Sequence, residues 1–596
     1  MPKTKIAGFD CAQVLAPLVI GITGHRDLRD EDRKILEERV KAIFSKLHED
    51  YRETPLVLVS PLAEGADRLA AEAALAAHAG VRLIVPLPLP IDLYEMDFDH
   101  VSVLEAPSAT VVVEKDSRPE FRALLDQAYA TFPLDLVQGN TFEKIAKQGP
   151  ARDRQYEAVG QYIARQSQIL IALWDGVESN RVGGTASVVH FQTEGVPGPE
   201  ICELEAPEGF PVYHILTPRV KNPFPQGEAL GLRKIYPKVF AGSDERAENY
   251  YRKMFERLNE FNRYITGADH ALAKQIKKSK SYLLQKTREE EIPADMAPAL
   301  NRYAVADALA IRFQRRWLWA QIALHGVVLA AFIFFLLFAD QAEHRIVFLV
   351  CSAAMVAGAF ILKTCSGNWA WDTQHEDYRA MAEGLRVKFF WRLAGIMDPI
   401  ADHYLGKQRS ELDWIRNGFR GWNVQEGAQT HGKREPMADD EQRNRLGFAR
   451  KYWIDDQQEY FRRAGEQNLK YHEGVEWVGL ACMGGVLVLG VVLGLLRVTD
   501  PKSFSEVDAI LLEALLAAAA IFHHLNNRMA FAEHAKQYQR MASLFAHGSE
   551  LLGKFLERDD YKNAKQCVKN VGNEALTENG DWVLLHRERP LEVPHP

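Results

Sequence analysis

Apolar residues follow two different rhythms along this 596-residue chain. Up to about residue 245 they come as short β-rich runs separated by helical patterns. Beyond about residue 300 they come as long unbroken blocks. The short runs predict strands over Leu18–Thr23, Leu56–Ser60, Val81–Pro86, Thr110–Val113, Ile169–Trp174 and Val212–Thr217. Helical periodicity lies between several of them, over Asp30–Asp50, Gly65–His78 and Arg152–Gln166. Alternation of this kind predicts an α/β, Rossmann-like fold with a parallel sheet covered on both faces.

The long blocks are residues 317–338, 346–362, 475–496 and 509–525. A hydrocarbon core of about 30 Å needs about 20 helical residues at 1.5 Å each. The first and third blocks meet that length. The second and fourth are near the lower limit, and each follows a long block after a brief polar loop. The expectation is an all-α membrane region of four transmembrane helices in two hairpins. The fourth block carries Glu513, which makes it marginal alone and calls for a partner helix or an oligomer. Gly490-x-x-x-Gly494 in the third block has the spacing for close helix packing. Glu513, Gly490 and Gly494 are therefore the candidate membrane or pore residues.

Arg312, Arg315 and Arg316 precede the first block, Lys363 follows the second, and Arg528, Lys536 and Arg540 follow the fourth. The hairpin loops hold Arg345, Arg497 and Lys502. The positive-inside rule then predicts a multi-pass protein with both termini cytoplasmic. A shift of 160 residues superposes Trp317 on Trp477, Leu336 on Leu496 and Asp340 on Asp500. It also brings Tyr378-x-x-Met381-Ala382 onto Tyr538-x-x-Met541-Ala542. We read the pattern as a duplication of one hairpin-plus-helix unit. The expected domains are 1–245, 246–420 and 445–596, with 421–444 as a polar linker.

Composition changes little in this picture. The net charge of −8 gives no basic face for nucleic acid. The six cysteines form no CxxC pair, so neither a zinc site nor a disulfide framework is expected. Val14–Ile22 is short and runs into Thr23-Gly24-His25-Arg26, which reads as a buried strand rather than a signal peptide.

The candidate chemistry stands at the strand ends. The first strand ends in Thr23, Gly24, His25 and Arg26. The second leads into Gly65, Ala66, Asp67 and Arg68, which open a helix. A later strand ends in Asp175-Gly176, followed by a loop with Gly183, Gly184 and Thr185. Glycine lets backbone approach a ligand, and a helix N-terminus presents N–H groups to an anion. Three such ends on one rim suit a phosphate-bearing ligand.

These residues carry a family resemblance. Gly24-His25-Arg26, Gly65-Ala66-Asp67 and Gly183-Gly184-Thr185 together resemble the SLOG superfamily over roughly residues 15–220. The doubled hairpin with its Tyr-containing helix resembles SLATT domains, two-helix membrane effectors. The resemblance implies a sensor–effector of a bacterial defence system in the inner membrane. Its ligand would be an ADP-ribose or NAD derivative or a cyclic nucleotide, with no tightly bound cofactor, and the chain would form homo-oligomers. The phosphoribohydrolases of that superfamily carry a Glu where this chain has His190, which argues against their activity here. His190 is left either touching a ligand or packed in the sheet. Two other readings stay open. One is a membrane-anchored nucleotide hydrolase or glycosidase using Asp67, Asp175 and His190. The other is a channel or transporter with a regulatory domain, with Glu513 on its path.

Overall fold

The computed structural model describes residues 5–6, 8–78, 80–106, 109–179, 183–196, 208–284, 292–340, 345–369, 371–404, 412–430, 437–499 and 506–587. Cys202, Asp500, Lys502 and residues 431–436 of the expected linker lie outside these. The chain forms two compact units, Met1–Ala268 with Leu405–Pro436, and Asp269–Tyr404 with Met437–Pro596.

The first unit is built on a seven-stranded sheet. Its strands are β1 (Leu18–Gly24), β2 (Leu56–Val59), β3 (Arg82–Leu87), β4 (Ala130–Pro133), β5 (Ile169–Trp174), β6 (Val212–Leu216) and β7 (Leu232–Ile235). They lie in the order β7-β6-β5-β1-β2-β3-β4, parallel except for β7 at the edge. The helices are α1 (Asp30–Asp50), α2 (Ala66–Ala77), α3 (Pro150–Gln166), α4 (Thr185–Glu194) and α5 (Asp244–Thr266). Val19, Val57, Ile84, Leu170 and Val212 are fully buried in one continuous core with Val159 and Ile163 of α3. Burial on both faces is why these strands read as unbroken apolar runs.

The expected strand at Thr110–Val113 is not in this sheet. It belongs to an antiparallel ribbon, Asp99–Ala106 with Ala109–Asp116. β4 takes its place beside β3. Four residues ending in Pro133 left too little apolar signal to announce it, and proline is tolerated at an edge.

The expected boundary at 245 also moves. Asn262 of α5 accepts from the Ala16 N–H at 2.9 Å and donates to the Ala16 carbonyl at 2.8 Å. A helix returning from far along the chain, Asp413–Thr430, belongs to the same unit. Its Trp422 is fully buried and donates to the Val14 and Leu15 carbonyls at 3.1 and 3.0 Å. Gly421 leaves room for Pro17, whose carbonyl would lie 2.8 Å from an added Cβ. Residues 421–430 are thus core helix rather than linker, and 439–444 are helical too.

The second unit is helical: α6 (His270–Leu284), α7 (Ala297–Asp340), α8 (Arg345–Trp369), α9 (Trp371–Leu393), α10 (Asp439–Ala449), α11 (Asp455–Thr499), α12 (Glu506–Met529), α13 (Phe531–Glu557) and α14 (Tyr561–Arg587). A π-helical turn, Arg450–Ile454, joins α10 to α11. At 44 residues, α7 is about 66 Å long, twice a hydrocarbon core. Residues 299–310 are buried within the unit, whereas Trp319, Ile322 and Phe335 further on are exposed. The stretches expected from 317 and 475 are therefore the far ends of longer helices.

Three helices are long and apolar enough to cross a membrane: Ala297–Phe338, Arg345–Thr364 and Asp439–Leu496. The most apolar windows of the latter two are only 11% and 6% buried by the chain itself. The fourth expected block is a shorter apolar helix, Ile510–His524. Trp371 and Phe531 open corresponding helices 160 residues apart, the offset read from the sequence. Tyr378, Met381 and Leu385 are buried on α9, as are Met541 and Phe545 on α13, so this stripe is a packing face.

Candidate functional site

The chain starts at β1, runs outward through β2, β3 and β4, then returns to β5 beside β1. This reversal opens a crevice beyond the carboxyl ends of β1 and β5, where open α/β sheets bind ligands. His25 leaves β1 there and Asp175 leaves β5. His25 Nε2 faces Asp175 Oδ1 at 3.0 Å.

Close backbone packing holds the rim together. An added Cβ on Gly24 would lie 2.3 Å from the Ala66 Cβ and 2.8 Å from the Leu173 carbonyl. Gly65 has a φ of +78°, and its Cβ would meet the Arg26 carbonyl at 2.4 Å. The Ala66 N–H donates to the His25 carbonyl at 3.1 Å. Gly183, also at positive φ, would touch the Glu157 backbone of α3 at 3.0 Å. Gly184 caps α4, which Thr185 opens. Both the first and third glycine loops reach α3, because the Arg26 guanidinium stands 5.9 Å from the Tyr156 ring.

Several expected ligand residues are occupied by the fold. Thr23 is buried opposite Ala172 in the sheet, and Ala66 is fully buried. Arg68 is buried and donates to the Leu62 and Ser117 carbonyls at 3.1 and 2.9 Å, its guanidinium over the Phe98 ring. Asp175 is a hub. Its Oδ2 accepts from Arg219 Nε at 2.8 Å and Asn222 Nδ2 at 3.1 Å, and Oδ1 accepts from the Val177 N–H at 3.2 Å. Burial pushes its pKa upward, yet the bonds from Asn222, His25 and Val177 hold it below the usual carboxylate range. Burial lowers the His25 pKa against the opposing pull of Asp175. Asp67, in the first turn of α2, differs. Burial raises it to about 7 although Ala63 donates to it and Arg26 and Arg68 lie near.

His190 is not in the sheet. It lies exposed on α4, with Nε2 2.7 Å from Glu178. Asp175, Asp67 and His190 share no contact among the described residues. Arg26 remains solvent-exposed and has no ion pair among the described residues. Beside it, Tyr156 donates to Asp97, which Arg152 also holds at 2.7 Å.

Arg219, Asn222 and Tyr156 were not singled out from sequence. Arg219 and Asn222 follow β6, one strand beyond the expected ends, and Tyr156 sits mid-helix with no motif to mark it. The Thr217-Pro218 break after an apolar strand was the available signal for the first two.

In the second unit, Glu513 lines an apolar groove of about 740 Å³ with Phe332 of α7, Val356 of α8 and His524 of its own helix. A Cβ on Gly490 or Gly494 would meet nothing within 4 Å, so among the described residues this motif packs no other helix.

Fold and site define a doubly wound α/β unit with a switch-point rim, in one chain with a helical unit carrying candidate membrane spans. No family model, curated protein or solved structure matches the chain.

Proposed function

We propose that this protein is a membrane effector whose α/β unit senses a nucleotide-derived signal. The observation that carries the reading is Arg26, an exposed guanidinium without an ion pair among the described residues, at the switch point between Gly65 and Tyr156. A guanidinium pairs well with phosphate, and the Gly184–Thr185 start of α4 offers N–H groups to the same anion. An ADP-ribose or NAD derivative, or a cyclic nucleotide, has that chemistry. The resemblance to SLOG sensors and SLATT effectors agrees with it.

In this reading the apolar helices cross the bacterial inner membrane four times as two duplicated hairpins, with both termini cytoplasmic. Ligand binding drives pore formation or membrane disruption in a homo-oligomer. Gly490 and Gly494, facing no neighbour among the described residues, serve contacts between copies. Glu513 then faces the passage. The test is leakage of dye from liposomes carrying the full chain, screened against a nucleotide panel. Leakage is expected with one class of nucleotide and is lost in Arg26→Ala and Gly184→Trp. Silence across the whole panel sinks the proposal.

A nucleotide hydrolase is the second reading, favoured by the Asp67 carboxyl held near neutrality at this rim. It requires product from the full chain and none from Asp67→Asn.

A further inference from the structure

A cavity of about 190 Å³ lies where α7, α9, α11, α13 and α14 meet. Trp453, Tyr460, Phe461, Tyr538 and Trp582 wall it. The Phe461 and Tyr538 rings stand 5.6 Å apart. Trp453 comes from the π-helical turn, a backbone form that recurs at functional sites. Three charged residues line the same space: Arg379, Glu383 and Glu578.

Arg379 and Glu383 answer each other, 3.0 Å apart, and Arg386 holds Glu383 from its other side at 2.7 Å. Glu578 is different. It has no hydrogen bond or ion pair among the described residues, although it is partly buried in an aromatic box. Arg379 and Arg386 both direct their charge at Glu383, so Glu578 is the one carboxyl of the lining with no cation paired to it among the described residues. Aromatic faces attract cations through the ring quadrupole. No cluster of three metal-ligating side chains occurs among the described residues, and hard metal ions need six or more oxygen ligands. The volume is below the roughly 300–1,000 Å³ of drug-sized sites, which leaves out a nucleotide.

We propose that this cavity binds a small organic ammonium ion, its head held between the Glu578 carboxylate and the rings of Trp453, Tyr460, Tyr538 and Trp582. The site is separate from the nucleotide rim and does not depend on that reading. Ile311 and Gln314 of α7 also line it, one to two turns before the apolar part of that helix. An occupant therefore touches α7 just before its apolar part, and α11 at Tyr460 and Phe461, about four turns before its own.

Burial and the neighbouring Glu383 raise Glu578 to about 8, against the pull of Arg379. The other titratable groups facing it are His375 on α9, Tyr460 on α11, Tyr538 on α13 and Asp581 on its own helix. A bound cation must displace a proton, so affinity rises with pH and levels off above about 8.

The experiment is calorimetric titration of the full chain in detergent with choline and with tetramethylammonium, sodium at matched ionic strength serving as control. Saturable binding is expected, weakening about tenfold or more in Glu578→Gln and in Tyr538→Leu. It should strengthen from pH 6 to 8. No saturable heat at any pH, or binding indifferent to both pH and Glu578→Gln, overturns the proposal. If Glu578→Gln does not fold, the pH profile of the unaltered chain decides.

Discussion

Asp175 in the α/β unit and Glu578 in the helical unit are both carboxyl groups drawn out of water where several elements meet. They respond in opposite ways. Asp175 gathers Arg219, Asn222, His25 and a backbone N–H, and stays ionised below the usual range. Glu578 gathers no donor among the described residues and is pushed to about 8. Burial raises both; hydrogen bonding reverses the outcome for one. The first arrangement ties three strand ends together and is structural. The second leaves a group whose charge depends on what enters its cavity.

The largest expected effect tests what holds the first unit together. Trp422→Ala should destabilise it by about 3–5 kcal/mol, because a fully buried indole and its two carbonyl bonds vanish. A fragment ending at residue 245 lacks both α5 and this helix, and should fail to give a cooperative unfolding transition by circular dichroism. A cooperative fragment would show that the sheet stands without the returning helix.

Asp175→Asn should cost about 2–3 kcal/mol at pH 7 in denaturant unfolding. Its depressed pKa makes the contribution full above the unfolded value near 3.9 and lost as pH falls through the folded value. The cost of the substitution should therefore fade in acid.

Glu578 should show the opposite slope. A raised carboxyl favours the folded state least where the unfolded chain ionises freely. Stability should fall as pH rises from about 4.5 through about 8. Glu578→Gln should stabilise the empty protein by at least about 2 kcal/mol at pH 8, half of what a rise from 4.5 to about 8 implies before solvent screening of a partly exposed group, and leave it unchanged at pH 4. Equal pH slopes for the two carboxyl variants would erase the contrast between the units.

His190→Ala should change stability by less than about 0.5 kcal/mol, since the ring is exposed and its partners Glu178 and Glu194 are solvated. A larger loss would move His190 from the surface into the rim's working parts.

Much of this was legible along the chain. Five of the six expected strands are in the main sheet, and α1 spans the residues its periodicity marks, because these elements answer to neighbours close in sequence. The Gly24 and Gly65 ends do meet, as strand–helix alternation implies. What occupies each end was not legible. Asp175 looks like a catalytic acid until Arg219 and Asn222 arrive from the end of the next strand. Arg68 looks like a phosphate ligand until the Leu62 and Ser117 carbonyls take its donors.

Hydrophobic spacing along the chain determined the two rhythms, the parallel sheet, the apolar helices and the 160-residue offset, since period and length depend on local backbone geometry. Tertiary structure decided which polar groups are free. Arg26 is left exposed, Asp175 is saturated and Glu578 is partly buried with no donor among the described residues, outcomes set by residues distant in sequence. The sequence also could not show that residues 413–430 return to complete the first unit. That pairing rests on Trp422 reaching backbone carbonyls some four hundred residues away, a contact that no local pattern records.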